Sequence, residues 1–128
     1  MAAPAEDMVK SLPDYSGTIP AGTQYSGYLD IQSQYGGGKH MHYWLAMADQ
    51  PASDTPVVFW FNGGPGCSSM GGYWTEQGSY HMANAMGPAD VVLNPWRWNQ
   101  GSLAHMVYTE SPAGVGFSYA DSPAGLVY

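Results

Sequence analysis

Positive charge is nearly missing from this chain: Lys10, Lys39 and Arg97 oppose ten acidic residues, a formal net charge of −7 over 128 residues. No basic face can neutralise a phosphate backbone, so nucleic acid is excluded as a partner. Charge of either sign is scarce, at 10% of residues against about 25% in ordinary domains. Long apolar runs are lacking too. None approaches the ~20 residues that cross a bilayer as a helix, so no membrane association is expected. The start, Met1-Ala2-Ala3-Pro4-Ala5-Glu6-Asp7, has neither a basic n-region nor an apolar h-region, and no secretory signal is visible. The single cysteine, Cys67, cannot close an internal disulfide. It is either a small buried apolar residue or half of a bridge whose partner lies outside the chain. His40 and His42 share a strand face without a third ligand, so no metal is expected, and no cofactor.

Ten tyrosines, five tryptophans and seventeen glycines fill the space that charge vacates. A chain of this length buries roughly two-thirds of its unfolded surface as one domain. With so many aromatics and so little charge, it would still leave apolar surface exposed on its own, which suggests a piece of something larger.

Residues 1–23 are punctuated by Pro4, Pro13 and Pro20 and read as an irregular arm. Tyr25, Gly27, Leu29 and Ile31 alternate with small or polar residues, as do Met41, Tyr43, Leu45 and Met47. With Tyr35-Gly36-Gly37-Gly38-Lys39 between them, the two runs predict a β-hairpin. Gln50–Asp54 is a loop. Val57–Phe61 is an unbroken apolar run, the pattern of a central strand buried on both faces. Met70, Tyr73 and Trp74 recur at helical spacing behind Ser68 or Ser69 as cap, predicting a short helix to about Glu76. Residues 77–103, with Gly78, Gly87, Pro88, Pro95 and Gly101, read as a long wrapped loop. Ala104–Thr109 is another strand, and the tail from Asp121 to Tyr128 shows no structural terminus. Strands dominate. A parallel sheet needs crossover helices on its faces, and here they are nearly missing, so the chain reads as the front end of an α/β sheet.

The most informative run is Phe59-Trp60-Phe61-Asn62-Gly63-Gly64-Pro65-Gly66-Cys67-Ser68-Ser69, a strand ending abruptly in a glycine-rich turn. In α/β-hydrolases the loop after such a strand supplies a backbone N–H to an oxyanion hole. This run closely resembles the signature of the serine carboxypeptidase family. The resemblance extends through Tyr25–Leu29, His42-Tyr43-Trp44, Asn94-Pro95-Trp96-Arg97-Trp98-Asn99 and Glu110–Tyr119, in the family's order.

The resemblance implies the N-terminal part of an α/β-hydrolase sheet, strand-rich, with one short helix after the glycine-rich loop. Residues 24–128 would form a partial domain truncated before the nucleophile. The implied reaction is release of a C-terminal amino acid by acyl transfer through a serine, with peptide or protein C-termini as substrate. By the same resemblance Gly64 offers the oxyanion N–H, and Asn62 with the Gly63 N–H holds the substrate carboxylate. Trp60 supports Glu76, which shares a proton with a second glutamate that this chain lacks. The segment Gln77–Met82 departs from the family's pattern, in which glycine-proline follows this glutamate; here Gly87-Pro88 comes later. Cys67 resembles a half-cystine, and the family implies a secreted, vacuolar or lysosomal location. A carboxypeptidase-like acyltransferase fragment and a non-catalytic binding remnant are the alternatives. A further partner would be the missing C-terminal part of the fold.

Gly116-Phe117-Ser118-Tyr119-Ala120 fits the nucleophile elbow G-x-S-x-[GA], but no amphipathic helix follows Ser118. The stretch from Glu110 to Ser118 instead resembles the acid-x-x-x-Gly-x-Gly-x-Ser loop found upstream of the elbow, and Ser118 reads as structural. His105 reads as a core imidazole, Cys67 has no identifiable base, and no catalytic triad is expected. The chain is expected to be inactive alone.

Overall fold

The computed structural model describes residues 3–32, 37–83 and 90–126. Strand β1 (Gln24–Gln32) and β2 (Gly38–Ala46) form the expected hairpin, antiparallel from Gln24 opposite Ala46 to Gln32 opposite Gly38. Of the predicted turn, Tyr35 and Gly36 lie outside the described residues; Gly37 has φ 75°. The sheet order is β1-β2-β6-β3, with β3 at Val57–Trp60 and β6 at His105–Thr109. β6 runs antiparallel to β2 and parallel to β3. The short β7 (Tyr119–Ala120) pairs with β2 beyond the end of β6. The result is a strand-rich mixed sheet with one short helix, the α/β class.

Helix α1 (Met70–Thr75) lies over one face of this sheet, where Met70 and Tyr73 pack with Trp44, Met106 and Tyr108. Leu12 and Ile19, from the irregular arm, join the same core. A buried polar network runs through it. The Gln24 carbonyl oxygen accepts from Trp44 Nε1 at 2.9 Å and Tyr73 Oη at 3.0 Å, and its amide donates to Ser79 Oγ at 3.0 Å. Ser79 in turn donates to Asn99 Oδ1 at 3.0 Å, so the Trp44 and Tyr73 polar tips are satisfied within the core.

Several expectations are corrected. The Val57–Phe61 run is not a strand buried on both faces. β3 is the edge of the described sheet, and Val57, Phe59 and Phe61 are each more than half exposed. Burial on both faces requires layers above and below, and the described residues put none over Phe59. The 77–103 segment is not simply a loop: β4 (Tyr80–Met82) and β5 (Val91–Leu93) pair antiparallel within it. Loop-breaking Gly87 and Pro88 fall between these strands, outside the described residues. The tail is structured as far as Leu126, through β7 and a 3-10 turn at Pro123–Leu126. Of the two cap candidates, Ser68 Oγ accepts from the Met70 N–H at 3.2 Å, whereas Ser69 precedes α1 without a side-chain capping bond. Its hydroxyl donates to the Thr109 carbonyl at 2.7 Å instead, tying the helix start to β6.

Candidate functional site

The parallel strands β3 and β6 end side by side, and each runs into a glycine- and proline-rich loop. The first loop leaves β3 at Trp60. Trp60 Nε1 donates to Asn62 Oδ1 at 2.7 Å, and the Gly72 amide of α1 donates to the same oxygen at 3.3 Å. Two N–H donors fix which end of the carboxamide faces inward, so the Asn62 Nδ2 donors are left without a partner among the described residues. The Asn62 backbone N–H is held by Ser69 Oγ at 3.2 Å. Helix and strand meet closely here: a Cβ on Gly72 would come within 2.5 Å of Trp60 Nε1 and 2.9 Å of Asn62 Oδ1.

Beyond Asn62 the backbone is bare. Gly63 O accepts from Cys67 N at 3.3 Å, but neither the Gly63 nor the Gly64 N–H finds an acceptor among the described residues. Both residues are exposed. Gly64 has φ 137°, and a Cβ there would sit 3.1 Å from the amides of Gly66 and Cys67, so only glycine fits without strain. The arrangement offers two adjacent backbone donors and one side-chain amide to an incoming anion.

Glu76 follows the last residue of α1, with an exposed side chain and a backbone carbonyl that accepts from His81 Nε2 at 2.7 Å and Asn94 Nδ2 at 3.1 Å. The structure brings Trp60, Asn62, Gly63 and Gly64 together, and it ties Glu76 to them through the backbone, the Glu76 N–H donating to the Gly72 carbonyl at 3.1 Å while the Gly72 N–H donates to Asn62 Oδ1. Tyr108 stands opposite Trp60 in the β3–β6 register, and its buried hydroxyl has no hydrogen-bond partner among the described residues. Burial first, and the nearby Glu76 charge second, push that hydroxyl well above the usual tyrosine range. Cys67 is exposed and free, which removes the buried-apolar alternative for it.

The second loop, after β6, is the reverse. Glu110 is fully buried, and its carboxylate accepts from Ser68 Oγ and from the Phe117 amide at 2.6 Å. A Cβ on Gly116, which has φ 53°, would overlap that carboxylate. Ser118 is buried as well: its Oγ donates to the Glu110 carbonyl at 2.6 Å and accepts from the His42 amide at 2.8 Å. A hydroxyl so engaged presents no nucleophile to solvent.

Sequence reasoning missed a second set of polar residues against this knot. His42 Nδ1 lies 3.1 Å from Glu110 Oε2, and its Nε2 lies 2.9 Å from Ser26 Oγ. Burial lowers the His42 pKa below 6.5, and the Glu110 carboxylate opposes that shift. The β1 and β2 alternation already puts Ser26 and His42 on one face. Glu110 joins them only through the β2–β6 register, where Tyr108 pairs with Trp44 and Glu110 N–H bonds the His42 carbonyl at 3.1 Å. That long-range pairing has no signature in the sequence. His105 is half-buried, and its Nδ1 accepts from the Ala48 amide at 3.0 Å. His40 sits between Asp30 and Asp121, at 2.7 and 2.9 Å.

Comparison with known proteins places this geometry in context. The serine carboxypeptidase family model matches residues 13–127. The mouse lysosomal protective protein is 44% identical over 122 residues, covering 94% of this chain and 23% of that protein. Serine carboxypeptidase-like 20 of Arabidopsis thaliana is 36% identical, covering 98% of this chain and 25% of its own length. Among solved structures, Kex1(Δ)p, a prohormone-processing carboxypeptidase from Saccharomyces cerevisiae, superposes with a TM-score of 0.62 at 28% identity, over 86% of this chain and 23% of that one. The chain therefore spans about a quarter of the length of the relatives it matches. With nearly its whole length matched, and a mixed sheet that superposes on a carboxypeptidase, the chain belongs to the serine carboxypeptidase family.

Proposed function

We propose that the tip of β3 is an anion cradle of a serine-type carboxypeptidase, receiving the α-carboxylate of a peptide's last residue beside the oxyanion of the bond to be cut. One observation carries this reading: the Gly63 and Gly64 N–H groups lie side by side, exposed and unpaired, next to an Asn62 whose outward end is all donor. Backbone amides held in advance cost no reorganisation when negative charge develops, which is how such donors lower a barrier. In this reading the Gly64 N–H faces the oxyanion, while the Gly63 N–H and Asn62 Nδ2 face the carboxylate. Trp60 holds Asn62 in that orientation. Glu76 is the carboxyl that shares a proton with the substrate's terminus at acid pH.

The chain supplies binding and charge stabilisation, within a partial α/β-hydrolase domain over 24–128. The family's nucleophile segment does not occur in its sequence, so peptide turnover is not expected from these residues alone. The exposed, free Cys67 is accessible to a partner outside these residues, in keeping with the half-cystine that the family resemblance implies. Of the lysosomal, vacuolar and secreted locations that the family resemblance implies, the name of the mouse relative supports the lysosomal one.

The test is a titration followed by amide NMR, with an N-acetyl dipeptide bearing a free C-terminus and the same dipeptide amidated. The Gly63, Gly64 and Asn62 side-chain amides should shift with the free acid only. Asn62→Ala should weaken binding about tenfold, since one charge-assisted hydrogen bond contributes about 1.5 kcal/mol. Equal shifts with both peptides, or none with either, would sink the reading.

A further inference from the structure

We propose that Ser26 is an acylatable serine: His42 serves as its base, Glu110 stands behind His42, and an activated ester with an apolar acyl group is the substrate class. This site lies apart from the β3 tip and does not depend on the carboxypeptidase reading.

The argument begins with position. Ser26 and His42 line a cleft of about 430 Å³ whose other walls include Leu12, Trp44, Met70, Trp74 and Phe117. An acyl chain or aryl ring has apolar surface to bury there, and a hydroxyl sits among those walls. Ser26 Oγ is 2.9 Å from His42 Nε2, which is hydrogen-bond reach for a nucleophile and its base. The imidazole is clamped by edge contacts with Tyr28 at 5.6 Å and Phe117 at 5.2 Å between ring centroids. Behind it, Nδ1 is 3.1 Å from the buried Glu110 carboxylate, but off the N–H axis: Nδ1 forms no aligned hydrogen bond. Glu110 therefore acts on His42 as a charge. It favours the proton on Nδ1, which leaves the Nε2 lone pair for Ser26, and it stabilises the imidazolium that forms when Nε2 takes a proton. Glu110 is itself held by Ser68 Oγ and the Phe117 amide, so it cannot swing away. Ser26, His42 and Glu110 thus carry the nucleophile, base and orienting roles found on unrelated hydrolase folds.

The step balances without a further reagent. Ser26 Oγ passes its proton to His42 Nε2 as it bonds to the ester carbonyl carbon. The carbon–oxygen bond to the leaving group breaks, and the departing oxygen takes the proton from His42 Nε2. The products are acyl-Ser26, neutral His42 and the free alcohol. An activated aryl ester, with a good leaving group, asks least of the site.

The probe is p-nitrophenyl butyrate with the 128-residue chain, read by intact mass and peptide mapping. One butyryl group on Ser26 is expected. Ser26→Ala should remove it, Ser53→Ala in the exposed 50–55 loop should not, and His42→Gln should slow labelling at least tenfold. Among the described residues, Glu110 just beyond β6 and Tyr28 from β1 are the titratable groups that face His42. The rate should level off above pH 6.5, because the buried imidazole is already neutral there. A serine with a purely structural partner would react in proportion to hydroxide across that range. No label, label confined to the amino groups of Lys10 and Lys39, or labelling of Ser26 at an unchanged rate in His42→Gln would each overturn the proposal. Should Ser26→Ala lose its near-UV circular dichroism, the wild-type peptide map and the His42→Gln rate still decide it.

Discussion

The two loops that leave the paired ends of β3 and β6 have nearly the same ingredients and opposite fates. Both are built from glycine, proline and small residues, and both begin beside a polar side chain. After β6, that side chain is a buried carboxylate enclosed by the protein: the Phe117 amide of its own loop, Ser68 from the loop after β3 and His42 of β2 all face Glu110. After β3, the polar residue is Asn62, whose carbonyl end is consumed by Trp60 and Gly72 while two following amides stay bare. Glycine content therefore says only that backbone comes close to something. Whether that something is the protein's own carboxylate or a guest's is decided by what the chain itself supplies.

The contrast makes its largest prediction at Glu110. Glu110→Ala removes a buried acceptor and strands the Phe117 N–H, the Ser68 hydroxyl and the His42 ring, a loss of about 3–5 kcal/mol in urea unfolding. Asn62→Ala, in the open loop, strands the half-buried Trp60 indole N–H and should cost about 1 kcal/mol by the same measurement. Equal losses at the two positions would erase the distinction between a closed loop and an open one. The next largest effect is at Gly72. Alanine there gains helix propensity, yet its Cβ would press on Trp60 Nε1 and Asn62 Oδ1. Overpacking at such a contact costs about 1–3 kcal/mol. Tryptophan fluorescence should shift with it, because the Trp60 indole must move. A neutral or stabilising Gly72→Ala would mean that the seat beneath the β3 tip is looser than the distances imply.

Much of this was legible in sequence, for physical reasons that can be named. The β1–β2 hairpin announced itself because strand alternation is local and its turn is glycine-rich. The α1 position followed from Met70, Tyr73 and Trp74. The signature around Asn62-Gly63-Gly64 identified the family, which the match over residues 13–127 establishes. The edge position of β3 was not legible: an apolar run reads the same whether or not a layer lies over it. Nor was the Ser26–His42–Glu110 constellation. It needs the β2–β6 register, a pairing of segments sixty or more positions apart that no local pattern encodes. Cys67 was ambiguous because burial of a lone small residue is set by tertiary neighbours, and these leave it exposed.

The smallest effect is the dependence of stability on pH, and its sign differs between two histidines on one face of β2. His40, between Asp30 and Asp121, has its pKa raised above 6.5, chiefly by the hydrogen bonds to Asp121 and Asp30. Its folded state holds the proton more tightly than the unfolded chain. The stabilisation is therefore fully present below pH 6.5 and is lost as pH rises through the folded value. His42 has its pKa lowered below 6.5 by burial. Here the unfolded chain binds the proton more tightly, so stability falls as pH drops from 6.5 towards the folded value and is unaffected above it. The two windows lie on opposite sides of the same reference pH, and together they predict a stability maximum near 6.5. His42→Asn should flatten the acid limb, and His40→Asn the alkaline limb. The alkaline limb should be shallower and fade with added salt, because the carboxylates that hold His40 are exposed while His42 is buried. Urea midpoints measured from pH 5 to 8 at two ionic strengths would check both limbs. An acid limb that survives His42→Asn would assign the proton uptake to another group and remove His42 as the one that resists charging.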